Sequence, residues 1–232
     1  MGTLYLVGTP IGNLEDITLR ALRVLREVSV IAAEDTRTTR KLLTHYDIHT
    51  PLTSFHDYSG PGKVRRLMER LGDADVAVVS EAGMPGLSDP GYPLVAAALE
   101  CGVTVTTVPG PSAVISALVL SGLPTHAFHY LGFLPRKPGA RRKLLARVAG
   151  EPDTLLMYES PHRLLAALRD VEEILGARPV AVARELTKRF EEVVRGTAAQ
   201  ARAHFERTPP RGEFTLVVGG AEAAREEDNA AG

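Results

Sequence analysis

Short runs of aliphatic and β-branched residues recur along this chain, each closed by turn formers and followed by a longer stretch with apolar residues every three to four positions. The runs at 3–7, 29–33, 52–56, 76–79 and 103–108 predict strands, and the one at 76–79 reads as buried on both faces. The periodic stretches predict helices. One starts near Thr18 with a stripe of Leu19, Leu22, Leu25 and Val28, and a second carries Arg40, Leu42 and Leu43; others follow at 63–71, 92–100 and 113–120. Strand and helix alternate throughout, which predicts an α/β fold with a parallel sheet.

Gly122-Leu123-Pro124-Thr125 reads as a hinge to a second unit, with strands at 128–133, 154–158, 180–183, 190–197 and 214–218 and a helix at 199–205. The expected organisation is a parallel-sheet α/β domain over 1–123, a mixed-sheet α/β domain over 124–220, and a small, acidic, disordered tail over 221–232. No internal repeat is visible.

Composition narrows the class. A chain of 232 residues with 44% hydrophobic residues folds into one or two domains. No apolar run reaches membrane-spanning length and no basic leader precedes the first strand, so a cytoplasmic protein with no membrane partner is expected. The single cysteine, Cys101, excludes an internal disulfide and a cysteine-rich zinc site; at the end of an apolar helix it reads as buried packing. A net charge of −1 gives no argument for nucleic acid, so any such argument rests on local clusters. One exists: Arg136, Lys137, Arg141, Arg142, Lys143 and Arg147 follow one another with no acid between them. Such a run is often a solvated face, but six unrelieved charges, with proline and glycine at 138–139 to let the segment adapt, favour an anionic partner.

The candidate chemistry sits where strands end. After the strand at 76–79 the chain runs through Gly83, Pro85, Gly86, Pro90 and Gly91, which is neither helix nor strand. It is a rigid loop at the carboxyl end of a strand, where open α/β sheets hold ligands, or a long connection with Asp89 capping the next helix and Pro90 at its first position. Gly8-Thr9-Pro10-Ile11-Gly12-Asn13 follows the first strand and lacks the G-x-G-x-x-G dinucleotide pattern. Glu34-Asp35-Thr36-Arg37 is either an active-site rim or a helix start capped by Asp35 or Thr36. Glu159-Ser160-Pro161-His162-Arg163 offers Ser160 as a cap and Arg163 as an anion partner, and Arg184-Glu185-Leu186-Thr187-Lys188 mixes charges at another strand end.

V-G-T-P-I-G-N-L-E-D-I-T (7–18), A-E-D-T-R (33–37), the 76–91 loop, V-P-G-P-S-A (108–113), Y-E-S-P-H-R (158–163) and A-R-E-L-T-K (183–188) occur together and in order. With them the chain resembles the tetrapyrrole methylase superfamily from residue 4 to about 218. Within it the motifs are similar to those of the bacterial branch that methylates the ribose 2′-hydroxyl of a cytidine in 16S ribosomal RNA. The resemblance implies two α/β domains unlike the Rossmann-type methyltransferases, S-adenosyl-L-methionine in the cleft between them, a homodimer, and 16S ribosomal RNA or the small ribosomal subunit as partner. By motif, Pro10, Glu81, Gly83, Met84 and Leu87 would contact the cofactor, together with Ser112, Ala113, Tyr158, Ala183 and Thr215. Glu81 stands where an aspartate is usual. Met84 stands where the RNA branch has threonine and the tetrapyrrole branch aspartate, and methionine donates no hydrogen bond.

A ribose hydroxyl is a weak nucleophile, so a base or a neighbouring cation is expected to assist its attack on the methyl group. Asp35, Glu34, Glu159, Glu185, His162 and Lys188 are candidates. Glu34 or Asp35 is favoured as base and Lys188 or Arg184 as charge neutraliser, with Arg37, Arg163 and the basic segment 136–147 for RNA. No metal is expected. The rivals are a tetrapyrrole carbon methylase and a non-catalytic protein that senses adenosylmethionine.

Overall fold

The computed structural model describes residues 1–221 apart from positions 57 and 90. The chain divides into two compact units, Met1–Ser112 and a second that begins at Ala113.

The first unit alternates β1 (Thr3–Val7), α1 (Leu19–Glu27), β2 (Val30–Ala33), α2 (Thr36–His45), β3 (Leu52–Ser54), α3 (Pro61–Leu71), β4 (Val76–Val79), α4 (Tyr92–Glu100) and β5 (Thr104–Val108). Its five strands lie in the order β3-β2-β4-β1-β5, with every pair parallel. The strand pattern explains the two-sided burial. Val30, Ala32, Val76 and Val78 face one way, onto Leu67 and Leu71 of α3 and Leu94 and Ala98 of α4. Ile31, Ala33, Ala77 and Val79 face the other, onto Val24 and Leu25 of α1 and Leu42 and Leu43 of α2. β1 continues through α1 to β2, beyond β4, whereas β4 continues through α4 to β5, beyond β1. The chain therefore leaves these neighbouring strands in opposite directions, and their carboxyl ends form the switch point of the sheet.

Several local expectations change. Thr18 caps α1 by accepting from Ala21 N at 3.0 Å, which leaves Leu19 86% exposed; the buried stripe is Ala21, Val24 and Leu25. β2 starts at Val30 and β3 stops at Ser54. α4 is capped by Gly91 at φ +156° with Pro93 in its first turn, so Asp89 is not its cap; the reading of Pro90 lies outside the described residues. Cys101 is the C-cap of α4 and is exposed rather than packed, because the helix ends before its side chain meets the core.

The second unit holds α5 (Ala113–Ser121), β6 (Phe128–Phe133), α6 (Pro138–Arg147), β7 (Thr154–Glu159), α7 (Leu164–Leu175), β8 (Pro179–Arg184), β9 (Glu192–Thr197), α8 (Ala198–Arg207) and β10 (Phe214–Val218). Its sheet runs β6-β7-β10-β8-β9, parallel between β6 and β7 and antiparallel elsewhere. Leu155, Met157, Val182, Leu216 and Val218 pack with Leu145, Leu168, Val171 and Phe205 of the three later helices. Thr197 and Gln200 form a capping box at α8.

α5 packs on β10, β8, β7 and β9, so the division falls before this helix and not at the glycine-proline turn that follows it. α5 is apolar almost all round, which hid from a local reading the sheet it covers. The segment 136–147 is also not an adaptable arm: Pro138 sits in the first turn of α6, where its missing N–H costs nothing. α7 starts at Leu164, after a turn, with Arg163 as its N-cap; Ser160 does not cap it. Beyond Ala221, the tail expected over 221–232 lies outside the described residues.

Candidate active site

Three loops of the first unit meet at the carboxyl ends of β1, β4 and β5. Thr9 N donates to Gly83 O at 2.9 Å and Gly83 N to Thr9 O at 3.0 Å, an isolated antiparallel bridge between the loops after β1 and β4. Ser80 is buried beneath it, and its hydroxyl donates to Ala82 O at 3.2 Å. Gly83 has φ +81° and Gly86 φ +85°, a region that glycine enters without steric cost. Ser88 reaches φ +62° in the same loop, a conformation unfavourable for a residue with a Cβ. The loop after β5 closes on the first: a Cβ on Gly8 would stand 2.8 Å from Gly110 Cα and 2.7 Å from Met84 Sδ. The Met84 thioether thus packs against loop backbone, where a hydrogen-bonding side chain was expected by motif.

Glu34 and Asp35, adjacent in sequence, have different surroundings. Asp35 caps α2: its Oδ1 accepts from Arg37 N at 2.7 Å, and the Arg37 guanidinium stands 3.3 Å from Oδ2. The backbone bond to Arg37, then the side-chain bond, hold its carboxyl below the usual aspartate range. A carboxylate so committed is a weaker base than a free one. Glu34 Oε2 instead accepts from Glu81 N at 3.1 Å, and Glu34 N donates to Val79 O at 3.2 Å. The start of α2 is thereby tied to the loop after β4, and Glu34 is only half-buried.

In the second unit, three residues singled out by motif fall in one row. Thr215 of β10 pairs with Tyr158 of β7 on one side and with Ala183 of β8 on the other. Their neighbours Met157, Val182 and Leu216 face the helical core, so the row occupies the opposite face, where α5 packs. Tyr130 and Phe133 set their rings 5.4 and 5.3 Å from that of Tyr158.

The turn after β8 holds non-glycine residues at positive φ, Glu185 at +48° and Thr187 at +65°. Strain of this kind persists only where surrounding bonds over-determine it. Here Lys188 Nζ donates to Glu185 Oε1 at 2.8 Å and Glu213 Oε2 at 2.7 Å, and Glu213 N donates to Glu185 Oε1 at 3.0 Å. Burial pulls the Lys188 ammonium down, but the two carboxylates outweigh it and raise it, so the charge is held. Arg184 donates to Arg211 O at 2.9 Å and pairs with Glu192 at 3.3 Å.

The basic residues expected to meet RNA divide into two groups. Arg141 is 4% exposed, and its Nε donates to Asp170 Oδ2 at 2.6 Å. Arg142 Nη1 reaches Asp170 Oδ1 at 2.8 Å and Glu173 Oε2 at 2.5 Å. The acids missing from the sequence around these arginines come from α7, so Arg141 is structural and its assignment as an RNA contact is corrected. Arg163 is tied to Glu159 Oε1 at 2.6 Å, Ser160 Oγ at 3.1 Å and Leu134 O at 3.0 Å. Glu159 is buried, its Oε2 has no partner among the described residues, and burial raises its carboxyl above the usual range. His162, Arg136, Lys137, Lys143 and Arg147 are exposed.

Sequence reading missed one further cluster, because its members belong to different elements. His129 Nε2 of β6 lies 3.4 Å from Glu151 and 3.5 Å from Asp153, at the amino ends of β6 and β7, a donor set a metal ion can use.

Glycine-proline loops at the switch point of a parallel sheet, followed by a mixed sheet, define an α/β ligand-binding architecture, and comparison with known proteins makes it specific. The chain belongs to the tetrapyrrole (corrin/porphyrin) methylase family, whose model matches residues 3–202. A relative from Halalkalibacterium halodurans named ribosomal RNA small subunit methyltransferase I is 51% identical over 221 residues, 94% of this chain and 76% of that one. A relative of the same name from Thermotoga maritima is 49% identical over 223 residues, 96% of this chain and all of its own. Among solved structures, uroporphyrin-III C-methyltransferase from Thermus thermophilus complexed with S-adenosylhomocysteine superposes with a TM-score of 0.65 at 23% identity, covering 95% of this chain and 98% of its own. Diphthine synthase superposes with a TM-score of 0.72 at 14% identity, covering 97% and 95%. At these identities the structures establish the fold alone.

Proposed function

We propose that this protein is an S-adenosylmethionine-dependent methyltransferase of small-subunit ribosomal RNA, acting on the ribose 2′-hydroxyl of a cytidine in the cytoplasm. The observation that carries the reading is the similarity of about half of all positions, over nearly the whole chain, to relatives named ribosomal RNA small subunit methyltransferase I. No helix among the described residues is long and apolar enough to cross a membrane.

The residues present suit the cofactor. A Cβ at Gly8 or Gly110 would clash with the facing loop backbone, and Gly83 takes φ +81°, so glycine at these positions fixes the loop shape that the cofactor is proposed to meet. Pro10, Glu81, Gly83, Met84 and Leu87 are proposed contacts on those loops. Tyr158, Ala183 and Thr215, which combine an aromatic face, a small side chain and a hydroxyl in one row, are a second set, with Ser112 and Ala113 at the start of α5. When bound, S-adenosylmethionine supplies a methyl carbon made electrophilic by its sulfonium.

The chain must then align the hydroxyl and accept its proton. Glu34 is proposed as the acceptor, since it borders the glycine loop and is not consumed by helix capping as Asp35 is. Lys188, kept cationic by Glu185 and Glu213, is proposed to offset negative charge as the hydroxyl ionises, ahead of Arg184. Arg136, Lys137 and Lys143 are proposed RNA contacts, with Arg37, which is exposed though paired with Asp35; Arg142 and Arg163 are committed to acids. A homodimer is proposed as well: α5 leaves Ile115, Val119 and Leu120 exposed on a helix with little polar surface. Methyl transfer to isolated small subunits tests the enzymatic reading, and sedimentation tests the dimer.

A further inference from the structure

α2 carries its charge differently from α6. Its buried side consists of Thr39, Leu42 and Leu43. At 3.6 residues per turn, positions 37, 40, 41, 44 and 45 then share the opposite side. There Arg37, Arg40, Lys41, Thr44 and His45 line one shallow hollow of the surface, with no acid among them. Arg37 turns back to Asp35, but Arg40 and Lys41 are exposed and stand outside the ion pairs found among the described residues. On α6, by contrast, Asp170 and Glu173 neutralise Arg141 and Arg142.

The position of this face matters as much as its sign. α2 rises from the carboxyl end of β2, which neighbours β4 in the sheet. The bond from Glu81 N to Glu34 Oε2 joins the start of α2 to the glycine-proline loop. The basic side thus opens from the edge of the loop cluster and runs away from it for about 12 Å of helix, enough to meet more than one phosphate.

We propose that the basic face of α2, with Arg40 and Lys41 at its centre, docks the phosphate backbone of the RNA substrate. This rests on the reading of the protein as an RNA methyltransferase. A polyanion gains affinity by releasing counterions to unpaired ammonium and guanidinium groups, whereas cations already paired to carboxylates contribute little to that release. The arginine fork adds bidentate geometry toward phosphate. Both residues stand one to two turns from Glu34, so a strand held there would lead toward the reacting end of the unit.

The test is binding of a synthetic small-subunit ribosomal RNA fragment across a range of salt concentrations. It compares wild type, Arg40→Ala/Lys41→Ala, and Arg65→Ala/Arg66→Ala on α3, which packs on the opposite sheet face and removes the same formal charge. Two lost phosphate contacts should make the slope of log affinity against log salt shallower by about 1.4–1.8. The α3 variant should keep the wild-type slope, and adenosylmethionine affinity should be unchanged in both. A wild-type slope in the folded α2 variant overturns the proposal, and so does equal flattening in the α3 variant, which would make the effect one of total charge. Wild-type methyl transfer to small subunits, measured in parallel, separates the two readings. Its absence sinks the enzymatic assignment, while the salt slopes still decide whether α2 binds RNA.

Discussion

Thr9 and Gly83 exchange both backbone hydrogen bonds, at 2.9 and 3.0 Å, across 74 residues of sequence. The loops after β1 and β4 are therefore one piece of structure, and Gly83 joins them at φ +81°, with Ile11 Cγ2 3.4 Å from where a Cβ would stand. Gly83→Val should lower adenosylmethionine affinity at least tenfold in calorimetry while leaving a cooperative melt, with a stability loss of about 1–3 kcal/mol. Gly102→Ala is the comparison: its φ of +70° imposes similar strain, but a Cβ there meets nothing within 4 Å and the residue lies before β5, away from these loops. It should lose stability and keep affinity. Equal affinity in the two variants would remove the loop from the cofactor site.

Asp35 caps α2, whereas the base role is proposed for Glu34. Glu34→Gln should lower turnover on RNA by roughly 10²–10⁴-fold with cofactor affinity nearly unchanged. Asp35→Asn keeps a capping oxygen and should stay within a few-fold of wild type, whereas Asp35→Ala should lower the melting temperature at neutral pH. Because the folded state holds the Asp35 carboxyl below its ordinary range, its charge contributes stability above that range and loses it as pH falls through the folded value. The gap between wild type and Asp35→Ala should therefore narrow in acid. Full activity in Glu34→Gln would leave positioning as the whole of catalysis.

The pair of Arg141 with Asp170 should behave as structure. Asp170→Ala leaves Arg141 buried without its partner and should cost about 3–5 kcal/mol in chemical denaturation. Lys143→Ala and Arg147→Ala, both exposed, should stay within about 0.5 kcal/mol. A small loss for Asp170→Ala would mean that Arg141 reaches solvent and is free to meet RNA.

Glu159 gives a pH signature of the opposite sign to Asp35. Burial raises its folded carboxyl above the ordinary glutamate range, so the stability linked to its proton is complete below that range and lost as pH rises through the folded value. Melting of wild type relative to Glu159→Gln should accordingly shift in favour of the amide as pH rises above the ordinary glutamate range. A shift the other way would show that the Arg163 pair dominates and keeps Glu159 ionised.

The strands were legible because the β-branched or aromatic apolar runs they need are local: β1, β4, β6 and β10 stand where those stretches do. The loop residues were legible for the same reason, since glycine and proline mark a strand end without reference to distant partners. What a local reading missed depends on residues far away. Asp170 lies 29 residues from Arg141, so a run without acids in sequence is paired in space. α5, apolar on nearly every side, gives no stripe to show that its sheet comes after it and not before. Leu19 fits the helical period of α1, but at its first position it overhangs the core and stays exposed. The metal-type donors His129, Glu151 and Asp153 meet only because β6 and β7 pair in parallel.

The central claim is a methyl group passed to ribosomal RNA, and labelled S-adenosylmethionine measures it directly. Purified protein is incubated with small subunits lacking the modification, and the product is digested and mapped by mass spectrometry. The account predicts one added methyl group on the ribose of a cytidine in the 16S RNA, and none in the Glu34→Gln variant on the same timescale. A protein that binds adenosylmethionine yet transfers nothing to subunit or free RNA, or that instead methylates a tetrapyrrole carbon, would contradict it.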